Sequence, residues 1–121
     1  MARTIKYTYL DLKDAGEVLV VTFKQASILD QAVIDEIGKE LAQARLEAAG
    51  NRKMLVDFSA VEFMSSAMLG KLVQLHKGCK AEKVKLKLCR ISNNPLEVFK
   101  ITRLDKLFEI HADADAALAK F

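Results

Sequence analysis

Hydrophobic and polar positions divide the chain into short apolar runs and longer segments of helical spacing. YTYLDL at residues 7–12 alternates at its start, and EVLVVTF at residues 17–23 is apolar and rich in β-branched residues. Both runs are typical of strands, and DAG at residues 14–16 predicts a hairpin turn between them. KMLVDF at residues 53–58 is flanked by helical segments on both sides, which favours a central strand with both faces covered.

Two long segments have the apolar spacing of amphipathic helices. The first begins after Asp30, which is a natural N-cap, and we expect it to end in the region of Gly50, where the chain must turn back. The second opens at Ser65 or Ser66 and follows the predicted central strand. The apolar positions of its face are Met68, Leu69, Leu72, Val73, His76 and Cys79.

Two further runs continue the succession of strands toward the end of the chain. KVKLKLCRI at residues 83–91 alternates between polar and apolar positions over most of its length. It predicts a strand with one apolar face, with Lys85 and Lys87 on the opposite, polar face. LFEIH at residues 107–111 is expected to form a last short strand.

Capping signals predict two more helices in the second half of the chain. NNP at residues 93–95 predicts a short helix with Asn94 as its cap and Pro95 at the first helical position. Asp113 is expected to cap a terminal helix. Strands that alternate with helices predict crossover connections, and the opening hairpin makes the sheet mixed. We therefore expect one α/β domain over residues 1–121, with a mixed, mostly parallel central sheet and about four helices.

Charge and composition exclude several classes of protein. The 121 residues carry a formal net charge of +3, and 51% of them are hydrophobic. No aromatic residues interleave with the lysines between residues 71 and 87, so we expect a solvated face and no direct binding of nucleic acid. No run approaches the roughly 20 apolar residues of a membrane span, and MARTIKYTYL lacks the apolar centre of a signal peptide. A soluble, cytoplasmic protein without a membrane partner is expected.

Candidate catalytic and metal-binding groups are scarce in this sequence. His76 and His111 have no cysteine or acid at the spacing of metal ligands. There is no glycine-rich phosphate loop and no GxSxG elbow. Cys79 and Cys89 lack CxxC spacing and lie in apolar segments, so we expect reduced, buried thiols. No metal, no cofactor and no enzymatic activity are therefore expected.

The adjacent serines Ser65 and Ser66 are the most informative polar residues. One of them is expected to be the N-cap of the second helix, where its hydroxyl accepts a backbone hydrogen bond worth about 1 kcal/mol. The second serine is not needed for capping. Both follow the presumed central strand, and sites are usually built beyond the carboxyl ends of parallel strands. A helix N-terminus there would also favour an added phosphate through its dipole and free amides.

The segment around these serines resembles the signature of the STAS domain, as found in anti-sigma-factor antagonists. The family pattern is an apolar strand ending in Asp-x-Ser, an apolar pair, Asp-Ser-Ser or Asp-Ser-Thr, Gly-Leu-Gly and an aliphatic helix. In MLVDFSAVEFMSSAMLGKLVQLHKGCK at residues 54–80, the DFS of 57–59 matches Asp-x-Ser and the FM of 63–64 matches the apolar pair. NPLEVFKITRLDKLFEIHADADAALA at residues 94–119 resembles the closing run of the family, so the resemblance covers nearly the whole chain.

Around the two serines, one position keeps the family pattern and three depart from it. Ser66 takes the place of the phosphorylated serine, and Ser65 stands where the family usually has an acid. Ala67 replaces the next Ser or Thr, and Met68 replaces a glycine. A kinase that reads Asp-Ser-Ser-Gly would meet a different sequence here, so these changes concern regulation more than fold.

The resemblance implies an anti-sigma-factor antagonist that binds an anti-sigma factor with serine kinase activity. It implies that phosphorylation of Ser66 switches the binding, and we expect Asp30, Ser65, Ser66 and Met68 to contact the partner. Met68, which replaces a glycine of the family, would add an adaptable apolar contact at the surface. One alternative is a scaffold or adaptor of the same fold that is never phosphorylated. Another is a module that binds a small molecule, either a nucleotide or a lipid.

Overall fold

Strands and helices alternate along the described residues, 7–51 and 53–121, of the computed structural model. The strands are β1 (Leu10–Ala15), β2 (Val18–Phe23), β3 (Ser27–Ile28), β4 (Lys53–Asp57), β5 (Phe63–Met64), β6 (Lys85–Cys89) and β7 (Ile110–His111). The helices are α1 (Gln31–Asn51), α2 (Ser66–Ala81), α3 (Asn93–Ile101) and α4 (Ala114–Ala119), with a 3-10 turn at Leu104–Lys106. This confirms the expected α/β fold class.

Five of these strands form a mixed sheet in the order β1-β2-β4-β6-β7. β1 and β2 are antiparallel, whereas every other neighbouring pair in the sheet is parallel. β4 is the middle strand, as its apolar sequence predicted. The hairpin begins later than expected, because β1 starts at Leu10 rather than at residue 7 and extends through residues 14 and 15. The turn itself uses Gly16, whose φ of 63° a residue without a Cβ adopts easily.

The short strands β3 and β5 form a separate two-stranded sheet that the sequence pattern did not predict. They are parallel, with Ser27 opposite Phe63 and Ile28 opposite Met64. The pairing continues at Ser65, whose backbone N–H donates to the carbonyl of Ile28 at 2.9 Å. Since β3 leads into α1 and β5 leads into α2, this small sheet places the first residues of the two helices side by side.

The two faces of the five-stranded sheet bury different amounts of apolar surface. The main core joins the sheet to α1, α2 and α3, and its largest fully buried side chains include Phe58 and Phe99. On the other face, Val18, Leu55 and Cys89 pack against Ala117 of α4 in a smaller cluster. α1 and α2 are therefore anchored to the larger core.

The contacts of Lys87 explain why the predicted polar face of β6 is wrong at one position. Lys85 is exposed as expected, but Lys87 is only 7% exposed. Its ammonium group forms an ion pair with Glu109 and lies 5.0 Å from the centre of the Phe121 ring. The alternation correctly separated the two faces of the strand, yet both faces are covered.

The start of α3 also differs from the prediction. The helix begins at Asn93, with Ser92 rather than Asn94 at the N-cap position, and Pro95 is the third helical residue. The Ser92 hydroxyl makes no capping bond, because it donates instead to the carbonyl of Val61 at 3.0 Å. This bond ties α3 to the loop between β4 and β5.

Candidate functional site

Two helix N-termini lie together at the carboxyl end of the parallel strands. At the start of α1, the Asp30 carboxylate accepts hydrogen bonds from the backbone N–H groups of Ala32 at 2.8 Å and Val33 at 3.2 Å. At the start of α2, the Ser65 hydroxyl accepts from the N–H of Ala67 at 3.1 Å. Both predicted caps are confirmed, so Asp30 and Ser65 each satisfy donors that a helix start leaves without partners.

Ser66 is the first residue of α2, and its side chain is exposed. Among the described residues, no hydrogen bond involves its hydroxyl. Ser65 already supplies the cap, so the Ser66 hydroxyl is free to react or to contact a partner. A negative charge at this position is favoured by the helix dipole, by about 0.3 to 1 kcal/mol at an exposed site.

Two exposed hydrophobic side chains flank these helix starts. Leu29, directly before the cap of α1, is 58% exposed, and Phe63, in β5, is 48% exposed. We call the five residues Leu29, Asp30, Phe63, Ser65 and Ser66 the helix-start surface. Capped helix ends beside exposed apolar side chains form a surface suited to protein binding, since interfaces combine an apolar centre with polar groups around it.

Sequence reasoning did not assign a role to Leu29 or Phe63 in binding. A signal for Phe63 becomes usable only once β5 is known, because neighbours in a strand point to opposite sides and Phe63 is next to Met64. Met64 is 5% exposed and belongs to the core, which leaves Phe63 outside. No comparable signal identifies Leu29, whose exposure depends on how β3 runs into α1.

Met68 does not lie on this surface, contrary to the expectation. Its side chain is 0% exposed and packs in the main core. Met68 is the third residue of α2, on the side of the helix that faces the sheet, together with Leu69 and Leu72. It therefore helps to anchor the start of α2 rather than to contact a partner.

The acids near the serines form no catalytic arrangement with them. Asp57, at the end of β4, is 7% exposed, and its carboxylate accepts from the backbone N–H of Ser59 at 2.8 Å. It thus shapes the turn that follows the central strand. Glu62 is exposed in the loop before β5. Neither acid makes a hydrogen bond to Ser65 or Ser66, so neither is placed to activate one of these serines as a nucleophile.

The histidines and cysteines occupy structural positions. His76 is half-buried with its ring centre 5.5 Å from that of Phe108, and His111 forms a hydrogen bond of 2.7 Å with Glu109. No group of three or more His, Cys, Asp or Glu residues suited to a metal ion occurs in the described ranges.

Both cysteines are free, buried thiols. Burial raises the pKa of Cys79 to about 11 and that of Cys89 to about 12, so both stay protonated near neutral pH. Within residues 7–51 and 53–121, no helix combines the length and the apolar character needed to cross a bilayer.

Comparison with known proteins identifies the family. The family model described as STAS domain matches residues 9–117, which is most of the chain. This chain belongs to the STAS domain family. A Bordetella bronchiseptica protein named as the anti-sigma factor antagonist BtrV is 28% identical to it over 94 residues, covering 75% of this chain and 81% of that protein.

Solved structures of other proteins share the fold of this STAS domain. An anti-sigma factor antagonist from Mycobacterium paratuberculosis has a TM-score of 0.80 at 21% identity, covering 92% of this chain and 91% of that one. The Bacillus cell fate determinant SpoIIAA, solved in its phosphorylated form, has a TM-score of 0.65 at 18% identity, covering 92% and 97%. At these identities the likeness establishes the common fold.

Proposed function

We propose that this STAS domain is an anti-sigma-factor antagonist that binds an anti-sigma factor through the helix-start surface. In this proposal the anti-sigma factor has serine kinase activity, and phosphorylation of Ser66 releases it. The observation that carries the proposal is the position of Ser66: its hydroxyl is exposed and not hydrogen-bonded to described residues, beside the apolar side chains of Leu29 and Phe63. The domain acts by binding and performs no reaction of its own.

Phosphorylation at Ser66 would act at the interface and leave the fold intact. A phosphoserine carries a charge of about −1.5 to −2 near neutral pH. In the first turn of α2 that charge is stabilised by the helix dipole and by backbone N–H groups. The same charge must lose its water when a partner covers Leu29 and Phe63, and this desolvation opposes binding. Asp30 and Glu62 lie at the same end of the molecule and are acids, so they do not offset the negative charge of the phosphate.

The names of similar proteins support this proposal. BtrV and the Mycobacterium paratuberculosis protein are both named as anti-sigma factor antagonists. The solved structure of SpoIIAA in its phosphorylated form has the same fold. Ser66 also stands at the position that corresponds to the phosphorylated serine in the STAS signature.

The test begins with capture of the partner from native lysate and phosphosite mass spectrometry on the same sample. Titration calorimetry then compares the parent with Ser66→Asp, Ser66→Ala and Ala116→Asp. We expect Ser66→Asp to weaken binding at least about tenfold, the effect of losing about 1.4 kcal/mol. Ser66→Ala should bind normally and resist inactivation by the kinase. Ala116→Asp adds the same charge to the first turn of α4, on the other face of the sheet, and should bind like the parent.

A scaffold or adaptor that is never phosphorylated is the second candidate. It is favoured by Ser65, which keeps the cap of α2 but lacks the negative charge usual before the phosphorylated serine of the family. If Ser66→Asp binds the captured partner as tightly as the parent and no phosphate is found on Ser66, the scaffold function replaces the switch.

A further inference from the structure

A groove runs between α1 and α2, further along the helices than the helix-start surface. Its volume is about 210 Å³, and its floor includes the buried side chains of Leu41 and Leu75. Gly38 and Ala42 line the α1 side, where their small size leaves the groove open. The polar residues of its walls are Arg45, Lys71 and Gln74.

Two glycines leave room for the two cationic side chains of the groove, each of which lies against the helix that does not carry it. A Cβ atom at Gly38 of α1 would lie 2.7 Å from Cδ of Lys71, which comes from α2. A Cβ atom at Gly78 of α2 would lie only 1.5 Å from a terminal nitrogen of Arg45, which comes from α1. Both distances are too short for real atoms. Lys71 and Arg45 can therefore take these positions only because Gly38 and Gly78 have no side chain.

The polar groups of the groove have more hydrogen-bond donors than the structure uses. Arg45 has five N–H donors, yet its partner Glu82 is 3.8 Å away, and its Nε is buried with no hydrogen-bond partner. The side chain of Gln74 is exposed, and no hydrogen bond of the described residues involves it. Lys71 is 3.3 Å from Asp35. When the Arg45 guanidinium turns toward an anion, it loses no hydrogen bond at Nε, and the contact that it gives up is the ion pair with Glu82 at 3.8 Å.

We propose that this groove binds a small organic anion, with its phosphate or carboxylate oxygens on Arg45, Lys71 and Gln74 and its apolar part on Leu41 and Leu75. A guanidinium binds either oxyanion through two parallel hydrogen bonds, which makes Arg45 the principal contact. The apolar floor selects an organic anion over an inorganic one. This site is independent of Ser66 and of the proposed antagonist function.

The test is an NMR titration of the ¹⁵N-labelled full chain with phenyl phosphate, benzoate and inorganic phosphate at constant ionic strength. We expect saturating shift changes in amides of residues 38–45 and 71–75, with inorganic phosphate weaker than either organic anion. Whichever of phenyl phosphate and benzoate binds with the lower dissociation constant identifies the oxyanion that the groove prefers. Shift changes that grow linearly without saturation for all three, or that centre on Ser66 and Ala67, would overturn the proposal.

Variants separate a binding role from a purely structural one. Arg45→Gln should weaken binding of the preferred anion at least about tenfold, since it removes the charge and the paired hydrogen bonds of the principal contact. Lys77→Gln removes the same charge from an exposed position of α2 outside the groove, so its affinity should stay within about twofold, as expected for a screened surface charge. Equal affinities for these two variants would contradict the site.

A second pair of variants moves Arg45 without removing its charge. Gly78→Ala should displace the guanidinium and weaken anion binding severalfold, while alanine, the better helix former, preserves α2. Gly70→Ala is the matched control, because no atom lies within 4 Å of the added Cβ. Binding by Gly78→Ala as tight as that of Gly70→Ala would show that the position of Arg45 is irrelevant and would overturn the proposal.

Discussion

The two faces of the central sheet are held by different kinds of interaction. Beneath α1, α2 and α3 the core is apolar, and the rings of Phe58 and Phe99 meet edge to face with their centres 6.1 Å apart. On the face beneath the six-residue α4, the buried apolar cluster is small, and the nearly buried Lys87 pairs there with Glu109. Most of the apolar stabilisation therefore comes from the first face.

This difference bears on function because the helix-start surface lies at the starts of α1 and α2. Both helices are anchored on the face with the larger core, through side chains such as Ile34 and Leu72. Changes beneath α4 should therefore alter stability without moving Ser66.

The largest effect is expected from Phe58→Ala in the main core. The Phe58 side chain is 0% exposed, and its ring centre lies 5.0 Å from that of Phe23. Removing it leaves a cavity and should lower the free energy of unfolding by about 3 to 5 kcal/mol. Urea denaturation followed by circular dichroism measures this loss. A loss below about 1 kcal/mol, the size of a typical cap, would mean that the two faces do not differ as described.

A pair of substitutions tests the charged contact on the second face. Glu109→Ala leaves the nearly buried Lys87 without its ion pair and should cost about 1 to 3 kcal/mol, the usual penalty for an unpaired buried polar group. Lys87→Met instead removes the buried charge and leaves Glu109, about half exposed, in contact with water. Because apolar replacements of buried ions are often neutral or stabilising, the unfolding free energy should stay near that of the parent.

Thermal or urea melts of the two variants decide this prediction. The reverse order, with Lys87→Met the more damaging, would mean that the ion pair itself stabilises the second face.

The helix caps of the two faces provide a smaller, matched comparison. Ser65→Ala on α2 and Asp113→Ala on α4 each remove a side chain that accepts a backbone hydrogen bond, at 3.1 Å and 2.8 Å. Each should cost about 1 kcal/mol. Hydrogen exchange should distinguish them: Asp113→Ala should raise exchange mainly in α4, because a helix of six residues has little stability of its own. Exchange that increases uniformly along the chain in both variants would contradict the expected local opening of α4.

Acidification should produce the smallest effect, and it also acts on the second face. Hydrogen bonds from Lys87 and then from His111 hold the pKa of Glu109 below its ordinary value of 4.5. A carboxylate with a lowered pKa in the folded state stabilises the fold above the unfolded-state pKa, and this contribution is lost as the pH falls through the folded-state pKa. The unfolding free energy should therefore decrease below about pH 4.5, and less steeply in Glu109→Gln.

The matched control for the pH experiment is Asp35→Asn on α1. The pKa of Asp35 is also lowered, by its hydrogen bond from Gln31 and then by that from Lys71, but the side chain of Lys71 is 27% exposed, against 9% for that of Lys87. We expect a weaker change in pH dependence than in Glu109→Gln, because solvent screens an exposed pair. Identical pH profiles for the parent and both variants would show that neither contact contributes measurably.

Local chemistry made part of the candidate site predictable. Asp30 and Ser65 are residues whose short polar side chains suit helix N-caps, and each interaction involves backbone groups only two or three positions away. The short pairing of Ser27 with Phe63 was not predictable in this way. Two-residue strands carry too few positions for a period to be recognised, and the partners are distant in the chain.

The amino-acid pattern by itself determined the succession of the four helices and of the strands of the five-stranded sheet, the central place of β4 and the capped start of α2. These features depend on side-chain period and on hydrogen bonds between near neighbours, and both are present in a local stretch of sequence. Only the tertiary structure decided that Lys87 is buried beside Glu109 and Phe121 and that Leu29 and Phe63 are exposed beside Ser66. The physical reason is that burial depends on which distant element packs over a side chain, and the residue's own neighbours in sequence carry little information about that element.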